Sequence, residues 1–72
     1  MQKRELEAVM KRHGDTGGDL AHYLGITRQT FSAKLNEKRG SEFTQGEISK
    51  IKERYNLSAD SVVAIFFASQ VS

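Results

Sequence analysis

The segment from Leu20 to Leu35, LAHYLGITRQTFSAKL, constrains the fold more than any other part of the chain. Apolar residues at helical spacing flank Gly25-Ile26 on both sides, so the segment reads as a short helix, a tight turn and a second helix. Ala21 is small where the two helices would cross closest, and Gly25 is free to take the positive φ that ends the first of them. Ile26 follows as the apolar plug of the turn, and Thr27 is a suitable N-cap for the next helix. Phe31 and Leu35, spaced i and i+4, give that helix a buried seam. An ordinary helical hairpin can carry Ala-x-x-x-Gly-Ile as well. The cap, the seam and the absence of acidic residues between Thr27 and Asn36 point instead to a helix-turn-helix, whose second helix is presented to the DNA major groove.

The rest of the chain follows the same period. There is no Pro, and an almost continuous 3.6-residue pattern predicts an all-α domain of five short helices. The first is expected from Gln2 to Arg12, with Leu6, Val9 and Met10 inward, stopping at His13-Gly14. Thr16-Gly17-Gly18-Asp19 resembles a capping box with Asp in place of Glu and opens the second, which runs to Leu24. The third spans Arg28 to Asn36, and Glu37 to Phe43 reads as a polar loop containing Gly40. Thr44-Gln45-Gly46-Glu47 is a Thr-x-x-Glu capping box, and it starts a fourth helix with an Ile48, Ile51, Tyr55 stripe that Asn56 closes. Ser58 caps a fifth, from Ala59 to Ser69.

Seventy-two residues make one domain, residues 1–72. A chain of this size buries only about 60% of its unfolded surface, so its core is thin and each apolar residue matters. Without Cys it has neither disulfides nor thiolate metal sites, a composition compatible with a reducing cytoplasm. No signal peptide or membrane span is visible, since the most apolar stretch, Val62 to Ala68, falls far short of the ~20 residues needed. Eleven basic residues against nine acidic ones leave only +2, a weak footprint for a nucleic-acid binder. The distribution is more telling. From Thr27 to Gly40 the bases are Arg28, Lys34, Lys38 and Arg39, and Glu37 is the one acid.

Nothing in the chain suggests an enzyme, a cofactor, a metal or a small-molecule substrate. His13 and His22 lack Cys or a metal-spaced carboxylate cluster, Ser32 lacks triad partners, and Gly17-Gly18 has neither the strand nor the ending of a phosphate loop. The third helix is the candidate binding surface. With Phe31 and Leu35 inward, Gln29, Ser32, Ala33 and Asn36 point outward beside Thr30, and Arg28 and Lys34 flank the seam. Gln pairs with adenine, Arg with guanine, and Ala meets a thymine methyl. Thr27 at the helix start suits a phosphate, as do Lys38 and Arg39 in the following loop.

The last helix has an oddly wide apolar arc. Val62, Ile65 and Phe66 share a core-facing stripe, while Val63 and Phe67 lie about 100° further round. Either the helix sinks into a groove and buries both faces, or Val63 and Phe67 form a self-association or partner surface.

The segments LAHYLGITRQTFSAKLN, SEFTQGEISKIKERYNLS and VVAIFFA together resemble the small Cro-like and modulator-of-repression proteins of temperate phages of Gram-positive bacteria. These belong to the lambda-repressor-like helix-turn-helix class. The likeness runs from about Leu20 to Ala68, with TFSAKLN and IFFA its more specific parts. It implies an antirepressor of the lysis–lysogeny switch that forms a complex with the phage repressor, or a Cro-like repressor acting by itself on operator DNA, as a homodimer. Many members of the class have Gln at the start of the second helix, where it contacts a phosphate. Gly17 stands there in this chain, followed by Gly18, and neither has a side chain for that contact.

Overall fold

Side-chain caps and left-handed residues punctuate the chain into helices. In a computed structural model that describes residues 1–68, α1 covers Lys3–Arg12, α2 Gly17–Leu24, α3 Arg28–Leu35, α4 Gln45–Tyr55 and α5 Ala59–Val62. No strand occurs among the described residues. Both expected capping boxes form: Thr16 and Asp19 bond reciprocally at the start of α2, and Thr44 and Glu47 do so at the start of α4. Thr27 and Ser58 cap α3 and α5 by accepting from the amides of Thr30 and Ser61. At the end of α2, Gly25 takes φ 74°, its amide donates to the His22 carbonyl and the Ile26 amide donates to the Ala21 carbonyl. This is a Schellman turn, and a Cβ at Gly25 would be strained in it. Asn56 closes α4 in the same way at φ 50°, with the Leu57 amide on the Lys52 carbonyl.

Leu6 of α1, Leu20 of α2 and Ile51 of α4 are fully buried and form the centre of the core. α2 packs against α3, with Ala21 2% exposed and Phe31 buried beside them. The Phe31 ring also touches the first turn of α2, where a Cβ on Gly17 would come within 3.4 Å of it.

Two expectations are corrected here. The segment from Glu37 to Phe43 is not wholly a polar loop. It holds a short 3-10 turn at Lys38–Gly40 and ends with Phe43 buried, its ring centroid 5.7 Å from Phe31 and 6.0 Å from Phe66. A lone aromatic among polar neighbours carries no period, so only packing reveals that it turns inward. The fifth helix is also not one α-helix to Ser69. It is α-helical only to Val62 and continues as a π-helix over Val63–Phe67, while Ser69 lies outside the described residues. Within this segment the Ile65 carbonyl accepts from the Gln2 amide at 2.7 Å, tying it to the start of the chain. Smaller shifts occur at α1, which starts at Lys3, and α3, where Asn36 is the C-cap.

Candidate recognition surface

The Thr27 cap and the Phe31 anchor fix which face of α3 looks outward. Arg28, Gln29, Thr30 and Ser32 are exposed, and Ala33 and Leu35 are half-buried. The Thr27 hydroxyl is engaged inside the turn: it accepts from the Thr30 amide at 3.0 Å and donates to the Thr30 hydroxyl at 2.9 Å. Arg28 lies over the start of α2, its Nε 3.9 Å from the position a Gly18 Cβ would take. Neither Arg28 nor Gln29 has a side-chain hydrogen bond or ion pair with any described residue, and the same holds for exposed Lys38 and Arg39.

Two residues expected on this surface are held elsewhere. Lys34 is not a free cation beside the seam. Its ammonium donates to both carboxylate oxygens of Glu47, at 2.6 and 2.9 Å, and the pair is largely shielded from solvent. Burial alone would raise the Glu47 carboxyl, but Lys34 and the Thr44 amide outweigh it and hold the group below the ordinary carboxylate range. Asn36 is occupied as well: its Nδ2 donates to the Ser32 carbonyl at 2.9 Å, and its Oδ1 accepts from Lys3 at 2.6 Å. The surface of α3 therefore offers Arg28 and Gln29 at its first turn and little free charge beyond them until Lys38 and Arg39.

Sequence reasoning missed a second polar cluster. The Arg54 guanidinium donates to both oxygens of Asp15 at 2.7 and 2.9 Å, and the Tyr55 hydroxyl donates to Asp15 at 2.6 Å. These bonds, with Arg54 foremost, lower the Asp15 carboxyl from 3.8 to about 2. Arg54 also stands 4.7 Å from the Tyr23 ring centre, and the His13 ring lies 4.8 Å from that of Tyr55. The cluster joins the α1–α2 loop to α4 across 39 residues, and no helical period links such positions. His22 is exposed, as expected.

Val63 and Phe67 are 55% and 61% exposed, while Val62 and Ile65 are buried and Phe66 is half-buried. The wide apolar arc is thus divided between core and solvent. Among the described residues no helix is long and apolar enough to cross a membrane. No family model, curated protein or solved structure matches the chain.

Proposed function

We propose that the chain is a helix-turn-helix regulator of a temperate-phage genetic switch, acting in the host cytoplasm by binding the phage repressor and altering its hold on DNA. The fold reading is supported by the Schellman turn at Gly25, the buried Ala21 and the Thr27 cap, which together place α3 against α2 with its polar side outward. One observation carries the choice of a protein partner: Lys34 is neutralised by Glu47, so Arg28 is the single uncompensated cation on α3. Tight, independent binding to DNA neutralises several phosphates with Lys and Arg, and beyond Arg28 the following turn adds Lys38 and Arg39. The chain is a binding protein on this reading, not an enzyme, and needs no cofactor.

A second reading is a Cro-like repressor that dimerises on operator DNA. It is favoured by Arg28 and Gln29 standing exposed side by side in the first turn of α3, where they suit guanine and adenine edges.

Gel shifts on phage operator DNA, with and without the repressor and over a range of salt, separate the two readings. The expected result is no shift by the chain alone at physiological salt and an altered shift of the repressor when both are present. A steeply salt-dependent shift by the chain alone establishes the second reading instead. Arg28→Ala/Gln29→Ala should keep the helical circular dichroism spectrum and lose about 2 kcal/mol or more of binding. Full binding by this double variant removes α3 as the surface.

A further inference from the structure

Beside the exposed Phe67 lies a cavity of about 130 Å³. Phe43, Ile48, Phe66 and Phe67 line it, with Glu37 and Glu42 at its rim. Its volume is close to that of the ~150 Å³ apolar cavities that accept benzene, which suits one aliphatic or aromatic side chain. Pairing leaves one charge on its wall uncompensated. Of the two cations on its wall, Lys34 is bound to Glu47, and the Met1 amine is bound to Glu37 at 2.8 Å. The Glu42 carboxylate has no hydrogen bond or ion pair among the described residues.

We infer that this groove is a second docking surface, taken by a protein segment that inserts one Leu or Phe side chain beside Phe67 and sets an adjacent Lys or Arg against Glu42. Two features select this occupant. The apolar wall opens to solvent at Phe67, and the one uncompensated charge beside it is the Glu42 carboxylate. The surface stands independently of what α3 binds, because none of its lining residues belongs to the exposed face of that helix.

The test is selection from a displayed library of random short peptides against the full chain, with Phe67→Ser as the parallel bait. Peptides enriched on the parent should pair Leu or Phe with a neighbouring Lys or Arg. For a synthetic peptide of the winning sequence, Phe67→Ser should weaken binding by about thirtyfold or more, as loss of a central aromatic contact does. Glu42→Lys should weaken it by about tenfold, and replacing the peptide base with Glu should restore it. Arg28→Ala/Gln29→Ala should leave it unchanged, so failure here and failure of the α3 reading give different results. Equal enrichment on both baits, selection of acidic peptides, or no enrichment at all overturns the proposal. So does a dimer in sedimentation equilibrium that Phe67→Ser dissolves, which assigns the face to a second copy.

Discussion

Asp15 shows how much one side chain can organise in a molecule of this size. Its carboxylate accepts from Arg54 at both oxygens and from Tyr55, so one charge fastens the α1–α2 loop to the last turn of α4. Asp15→Asn keeps the shape and removes the charge, and should cost about 1.5–3 kcal/mol near neutral pH, the range for hydrogen bonds to a charged group. The sign of the pH dependence follows from the carboxyl being lowered from 3.8 to about 2 on folding. Its contribution is complete above the unfolded value and is lost as pH falls through the folded one. Urea melts of parent and variant should therefore converge between about pH 4 and pH 2. A constant gap across that window would mean that the carboxylate does not supply the stability.

At the scale of elements, the α2–α3 pair depends on a small residue at Ala21, and the α3–α4 pair on a charge. Ala21 is 2% exposed, leaving no room for a larger side chain. Ala21→Leu should overpack the core and cost about 1–3 kcal/mol in thermal melts. A variant as stable as the parent would remove the steric basis for the close approach of these helices. Glu47 serves two elements together, capping α4 through Thr44 and binding Lys34 of α3. Glu47→Gln retains an acceptor for the cap and so isolates the charge pair. It should cost about 1–2 kcal/mol, above the surface norm because both side chains are mostly buried. In a double-mutant cycle with Lys34→Met, the second change should add little once the first is made. Simple additivity would show that α3 and α4 are not coupled through this pair.

Over the whole molecule, the aromatic run Phe31, Phe43, Phe66 carries the core from α3 to the C-terminal segment, where it meets solvent at Phe67. Adjacent residues there should behave in opposite ways. Phe66 is half-buried and edge-on to Phe43, so Phe66→Ala should cost about 1.5–3 kcal/mol, less than the 3–5 of a fully enclosed Phe. Phe67→Ser should move the melting temperature by no more than about 2–4 °C, since exposed substitutions stay within about 0.5 kcal/mol. Equal losses in both variants would place Phe67 in the core and remove the second docking surface.

The capped helix starts and the left-handed stops were legible in the residues themselves because they are made by neighbours in the chain. A Thr or Ser hydroxyl reaches the amide three residues ahead, and a left-handed turn selects Gly25 or Asn56, so Thr16, Thr27, Thr44 and Ser58 marked their helices without tertiary help. The inward stripes of α1 and α4 were legible for the same reason, since a helical period turns spacing into a face. Chain-distant partners were not. Lys34 looked free because Glu47 is 13 residues away, and Asp15 looked idle because Arg54 is 39 away. A helix period says which residues share a side, not which side chain of another helix will come within 3 Å of them. Phe43 and the π-helical turn at Val63–Phe67 fall under the same limit, for both depend on what packs against them. Local chemistry set where α2, α3, α4 and α5 start and where α2 and α4 stop; only the packing of one helix on another decided which cations stay free and which aromatic stays in water.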